Sequence, residues 1–162
     1  AEYLDETIAP RLHPADPARR AINRAWTDYL PTFAVNSSGP AFATTEAEHN
    51  HAVEKLAEPF GLLETALAQA DGPFFNGKDY SLVDAAYAPF LQRHFYLNRI
   101  KKLGQIERFP RLYAWAQALV NRPSTHSFPD AEAEEMYRNV LKNWKTKLWV
   151  TQFIADSKAA AE

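Results

Sequence analysis

The stretch Tyr80-Ser81-Leu82-Val83-Asp84-Ala85-Ala86 decides how the chain is read, because it joins a helix-start signal to an apolar helical pattern. Ser81 stands at an N-cap position and Asp84 at the third helical position, a capping-box variant in which Asp replaces the usual Glu or Gln. The serine hydroxyl accepts from the third helical N–H, and the carboxylate returns to the serine N–H. Each partner contributes about 1 kcal/mol at an ordinary helix end. Ser with Asp also invites a hydrolytic reading, but no histidine lies near in sequence to complete a nucleophilic set, so Ser81 and Asp84 are read as a structural cap. The helix they open carries Leu82, Ala86, Phe90 and Leu97 inward. Upstream, Phe74-Phe75-Asn76-Gly77-Lys78-Asp79 reads as an ordered loop with a turn at Asn76-Gly77.

Moving outward, Asp16-Pro17 gives an N-cap followed by proline at the first helical position. The apolar residues after it, Ala18, Ala21, Ile22, Ala25, Trp26, Tyr29, Leu30 and Phe33, step by three and four as a helix requires. Ser37-Ser38-Gly39-Pro40 is expected to stop it. A second helix should start near Thr44 or Thr45 and carry Val53, Leu56, Phe60, Leu63 and Leu67, with a kink at Pro59 and Gly61. Beyond the central helix, Phe109-Pro110 to about Asn121 reads as a fourth, with Leu112, Trp115, Ala116 and Leu119 facing in, closed by Pro123. Asp130 is expected to cap a last helix reaching roughly to Asp156. Its acidic start and basic end suit the helix dipole, and its inner stripe is Tyr137, Val140, Leu141, Trp144 and Leu148.

Composition agrees with this pattern. The 162 residues include 27 Ala and 15 Leu against 6 Val and 5 Ile, which favours helix over strand. The expectation is one all-α domain, a helical bundle of about five main helices. Cysteine is absent, which excludes disulfides, thiolate metal sites and a cysteine nucleophile within the chain. Eighteen basic and twenty acidic residues leave a net charge of −2, too balanced to attract nucleic acid or an anionic membrane by charge alone. No apolar run is long enough to span a bilayer.

Four segments in order resemble the C-terminal domain of cytosolic glutathione S-transferases. Gly72-Pro73-Phe74-Phe75-Asn76-Gly77 followed by Tyr80 to Ala86 is similar to the family's glycine-rich loop and Ser/Thr-x-x-Asp box. Leu12-His13-Pro14-Ala15-Asp16-Pro17-Ala18-Arg19-Arg20-Ala21 resembles the start of its first C-domain helix. Phe109-Pro110-Arg111-Leu112-Tyr113-Ala114-Trp115 through Asn121-Arg122-Pro123-Ser124 resembles a further family segment. Ala1-Glu2-Tyr3-Leu4-Asp5-Glu6 resembles the end of a preceding thioredoxin-like domain. The resemblance implies residues 1–9 as a remnant of that domain, 10–158 as the helical domain and 159–162 as a frayed tail. It implies that the parent is a cytoplasmic, homodimeric transferase conjugating glutathione, its co-substrate, to hydrophobic electrophiles. The chain alone, truncated before the thiol-activating residues, is expected to be inactive, with no catalytic residue and no tightly bound cofactor. The alternative is a non-catalytic interaction module of the same fold, of the translation-factor, synthetase or stringent-starvation type. The basic run Arg93, Arg99, Lys101, Lys102, Arg108 and Arg111 is its only support.

By the same resemblance, the electrophile pocket would draw on the first helix and the C-terminal segment. Trp26, Tyr29, Phe33, Trp149 and Phe153 are the candidates, although the first three also lie on a core stripe. Arg20, Arg24 and Asp28 recur every four residues. They are read either as a solvated face with an Arg24–Asp28 pair or as a face toward a second subunit and the glutathione site. His49 and His51 are read as solvated, His94 as a boundary residue, and no metal site is expected.

Overall fold

The computed structural model describes residues 2–126 and 128–154, all helix, turn and loop apart from two isolated bridges at 74–79. Seven α-helices occur among them: α1 (Glu2–Thr7), α2 (Pro17–Phe42), α3 (Glu46–Lys55), α4 (Ala57–Leu67), α5 (Leu82–Ile100), α6 (Pro110–Val120) and α7 (Asp130–Lys142). Helix α5 runs through the middle, packed against α2, α6 and α7, while α3 lies on α2 and α4 on α6. The all-α expectation holds. The tail at 159–162, and the part of the expected last helix beyond 154, lie outside the described residues.

Helix α2 starts where the sequence places it, with the Asp16 carboxylate accepting from Arg19 N–H at 2.8 Å and Pro17 at the first position. It does not stop at Ser37-Ser38-Gly39-Pro40 but continues to Phe42. The Ser37 and Ser38 hydroxyls donate back to the Ala34 carbonyl at 3.2 and 2.7 Å, so both serines remain compatible with helix. A Cβ on Gly39 would lie 3.4 Å from Ala52 Cβ, so the glycine lets α3 approach closely. The Pro40 carbonyl accepts from His49 of α3 at 2.8 Å. The residues read as a stop are the seam on which α3 packs.

The second expected helix is two helices, and the kink is a break at Leu56. Pro59 cannot donate to the Lys55 carbonyl and its ring crowds that position, so the ladder ends there and restarts. Thr45 caps α3, its hydroxyl accepting from Glu48 N–H at 3.2 Å. The buried stripe of α5 is Val83, Tyr87, Leu91, His94 and Leu97, rotated from the expected Leu82, Ala86 and Phe90, which are only partly buried. Helix α6 buries Leu112, Trp115, Ala116 and Leu119 as read. Its N-terminus is capped from outside by Glu64 of α4, whose carboxylate accepts from Arg111 and Leu112 N–H at 3.2 and 2.8 Å.

The last expected helix is also corrected. Asp130 is the first helical residue rather than the cap, and α7 ends at Lys142. The chain then turns so that Leu148 and Val150 are buried, and Trp149 N–H bonds the Ala43 carbonyl at 2.8 Å. A short 3-10 segment, Trp149–Phe153, lies on α2. Burying Leu148 beside the end of α2 requires this reversal, and Val140 and Trp144 are left about half exposed. The core itself is aromatic, with the Phe33 ring tilted against Tyr87 at 4.9 Å and Tyr87 5.6 Å from Trp115.

Candidate functional site

Two features sit on opposite sides of α5, one polar and one mostly apolar. The first surrounds Asp84, which is fully buried. Its Oδ2 accepts from Ser81 N–H at 2.8 Å and Ser81 Oγ–H at 2.6 Å. Its Oδ1 accepts from Phe75 N–H at 2.8 Å and from the Trp115 indole N–H at 2.7 Å. One carboxylate therefore caps α5, anchors the preceding loop and ties in α6. The loop can reach it because Phe74 and Gly77 exchange two backbone hydrogen bonds at 2.9 Å, with Gly77 at φ 88°. Gly72 is required as well, since a Cβ there would lie 2.3 Å from Gly77 backbone. Every acceptor site of Asp84 faces a donor, which leaves no room for substrate. This is architecture.

The second feature is a cavity of about 640 Å³ between the C-terminal half of α2, the middle of α5, and α7. Its walls are mostly apolar, formed by Phe42, Phe90, Phe128, Met136, Tyr137 and Val140. The hydroxyls of Ser37 and Ser38 on this wall are already committed to the α2 backbone. Tyr96 O–H donates to Asp130 at 2.9 Å. Burial pushes the Tyr137 phenol up to about 12, with the positive charge of Arg93 pulling the other way. Cavities of this size and lining suit a small hydrophobic molecule.

His94 borders the cavity but packs its ring edge-on against Phe60, 5.3 Å away, and both ring nitrogens are buried without a hydrogen-bond partner. Burial drives its pKa down to about 4, so the ring is neutral at pH 7. The boundary reading of His94 is therefore corrected to a core residue. His49 is likewise buried rather than solvated, with its pKa lowered by burial, because it serves the Pro40 carbonyl and lies 4.5 Å from the Trp149 ring.

None of the five residues expected at a pocket lines this cavity. Phe33 is fully buried in the core and is corrected to a packing residue. Trp26 and Tyr29 form an edge-to-face pair 5.8 Å apart near Phe75, and the Trp26 carbonyl accepts from Tyr87 O–H at 2.9 Å. Trp149 and Phe153 pair at 5.0 Å, with the Lys101 ammonium 4.8 Å above Phe153. Arg24 bonds Glu2 of α1 at 2.7 Å rather than Asp28, because the chain folds α1 back over the start of α2. Arg20 and Asp28 make no ion pair among the described residues. Within the basic run, Arg99 pairs with Asp130 and Glu134, and Arg108 bonds Gln105. No group of three metal-binding side chains occurs among the described residues, and none of their helices is long and apolar enough to cross a membrane.

The cavity is not legible in the sequence because its α2 wall starts at Ala34, immediately after the stripe that ends at Phe33, and runs through Ser37 and Ser38 of the stretch read as a helix stop. The signal available was the apolar i, i+4 set Met136 and Val140 on α7, of which the last-helix reading placed Val140 on the inner stripe and left Met136 aside.

Comparison with known proteins adds a family. Residues 23–123 match the family described as glutathione S-transferase, C-terminal domain. A probable glutathione S-transferase of Glycine max is 33% identical over 132 residues, covering 77% of this chain and 56% of that protein. The probable glutathione S-transferase parC of Nicotiana tabacum is 31% identical over 145 residues, covering 87% of this chain and 65% of that one. The chain thus spans less than two thirds of the length of either relative. The crystal structure of a Tau class glutathione S-transferase from mango superposes with a TM-score of 0.72 at 27% identity, covering 86% of this chain and 67% of that one. A rice enzyme in complex with glutathione gives 0.71 at 26% identity, covering 88% and 68%.

Proposed function

The chain belongs to the glutathione S-transferase family, as its C-terminal domain, and on that premise we propose that it is the substrate-side half of an enzyme conjugating glutathione to hydrophobic electrophiles. The observation that carries this reading is the mostly apolar, open cavity of about 640 Å³ between α2, α5 and α7. Its chemistry is positional. Apolar walls desolvate the body of the electrophile, at about 0.8 kcal/mol per buried methylene, and hold its reactive carbon for attack by a thiolate. Activation of the glutathione thiol belongs, in this reading, to a thioredoxin-like domain ahead of the helices. The exposed apolar side chains Tyr3 and Leu4 on α1, Ile8 just after it and Ile22 near the start of α2 support such a neighbour, because a surface of this kind is normally covered. The parent is proposed to act as a cytoplasmic homodimer, and the 162-residue chain alone to lack conjugating activity.

The test is a conjugation assay on the full-length parent with glutathione and 1-chloro-2,4-dinitrobenzene, comparing wild type with the cavity-filling variant Ala133→Phe. The expected result is turnover by the wild type and, in the variant, a KM for the electrophile raised about tenfold with the KM for glutathione unchanged. A full-length protein without conjugating activity would overturn the enzymatic reading. An unchanged electrophile KM in Ala133→Phe would remove the cavity from it.

A further inference from the structure

Asn76-Gly77 is the one Asn-Gly pair in the sequence, and it lies in the loop that delivers Phe75 N–H to the buried Asp84 carboxylate at 2.8 Å. Such a pair is prone to modify itself, because glycine has no Cβ to hinder attack of its nitrogen on the preceding carboxamide. The fold treats the two reacting groups differently. The Asn76 side chain is half-buried and makes no hydrogen bond among the described residues. Gly77 is buried, and its N–H donates to the Phe74 carbonyl at 2.9 Å while its own carbonyl accepts from Phe74 N–H at the same distance. Gly72 presses on this turn from the other side, since a Cβ there would lie 2.3 Å from the Gly77 carbonyl carbon. The electrophile is free and the nucleophile is held.

We propose that Asn76 is a deamidation site gated by this loop, and that the reaction is a one-way record of loop opening. When the loop opens, the Gly77 N–H loses its acceptor. The nitrogen gives up its proton and bonds Asn76 Cγ, the Cγ–Nδ2 bond breaks, and the side-chain nitrogen leaves with that proton as ammonia. Water then opens the cyclic imide at either carbonyl, leaving aspartate or isoaspartate at position 76. Nothing is oxidised or reduced: a carboxamide and water become a carboxylic acid and ammonia. Isoaspartate routes the chain through the former side chain and adds a backbone atom before Gly77. Phe74 and Gly77 then cannot exchange both hydrogen bonds. Phe75, whose ring packs 5.7 Å from Trp26 and 6.2 Å from Trp115, loses its register with Asp84. The closed loop protects the site, and the product keeps the loop from closing again. This inference is independent of how the cavity is used.

The full chain, folded in buffer and unfolded in urea, is aged side by side at one temperature and pH. Deamidation is read by mass spectrometry of the tryptic peptide that carries position 76, and isoaspartate by enzymatic methylation. The folded chain is expected to react at least about tenfold more slowly, since only its open fraction reacts. Gly72→Ala, whose methyl group displaces the Gly77 backbone, should speed the reaction of the folded chain at least about threefold. Should that variant not fold, a wild-type series in sub-denaturing urea replaces it, with hydrogen exchange of Gly77 N–H followed by NMR. Deamidation and exchange should then rise together. Equal rates in the folded and unfolded chain, or deamidation that stays flat while Gly77 exchange quickens, would overturn the gating. The aged fraction rich in isoaspartate, separated by ion exchange, should melt below fresh protein, whereas Asn76→Asp should melt as the wild type does. Aged and fresh protein melting together would overturn the one-way record. An Asn76→Asp variant that melts as low as the aged fraction would assign the loss to charge rather than to the added backbone atom, and would overturn it too.

Discussion

The two sides of α5 solve opposite problems with the same kinds of residue. Toward α6 and the 72–79 loop, Asp84 is fully buried and each of its oxygens receives two hydrogen bonds. Toward α7, Arg93 is exposed, has no carboxylate partner among the described residues, and borders the apolar cavity. A buried charge without partners would cost several kcal/mol, so the Asp84 side must be complete for the domain to fold. The Arg93 side carries no such demand, because its charge remains in water. Saturated polar groups mark the scaffold of this domain, and the apolar hollow beside Arg93 is the proposed ligand site.

The largest expected effect breaks the closed side. Asp84→Ala orphans the buried Phe75, Ser81 and Trp115 N–H groups together and should cost about 4 kcal/mol, lowering Tm by about 10 °C. Urea denaturation measures it, and a loss below about 1 kcal/mol would show that the node is not what holds α5 and α6. Trp115→Phe combined with Asp84→Ala should cost less than the two separate losses added, since both remove the same hydrogen bond.

His94 lies at the border of the two sides, with neither ring nitrogen partnered. Its folded-state pKa of about 4 is below its unfolded value of about 6.5, so the unfolded chain takes up the proton first as pH falls. Stability is unaffected above pH 6.5 and falls between pH 6.5 and 4, by on the order of 3 kcal/mol over the window. His94→Leu should flatten that part of the pH–stability curve. A slope identical to wild type would contradict the assignment.

The smallest effect belongs to the open side. Val35 is 73% exposed although it follows the fully buried Phe33 by two residues. Val35→Ala should change stability by less than about 0.5 kcal/mol, against about 4 kcal/mol for Phe33→Ala. A comparable loss from both would mean that the cavity lip is part of the core.

This asymmetry explains what could be read from the sequence. The Ser81–Asp84 pair was legible because both members of a cap lie within one turn. The Trp115 and Phe75 donors to the same carboxylate were not, since 31 and 9 residues separate them from Asp84. Two prolines misled in opposite directions, Pro40 read as part of a stop and Pro59 as a kink. Pro31, Pro40 and Pro89 sit inside helices that packing sustains, while Pro59 breaks a helix expected only to kink. His49 read as solvated and His94 as a boundary residue because they pack against Trp149 and Phe60, which the fold brings to them. The cavity depends on the mutual placement of three helices. No spacing within one helix encodes it.

The central claim is that ligands enter between α2, α5 and α7 rather than against the aromatic residues at the start of α2. Amide and side-chain NMR shifts of the full chain, followed while N-phenyl-1-naphthylamine is added, test it directly. The expected result is saturable shifts at Val35, Ser38, Phe42, Met136 and Tyr137. Shifts confined to Trp26, Tyr29, Trp149 and Phe153, with the cavity residues unmoved, would contradict it.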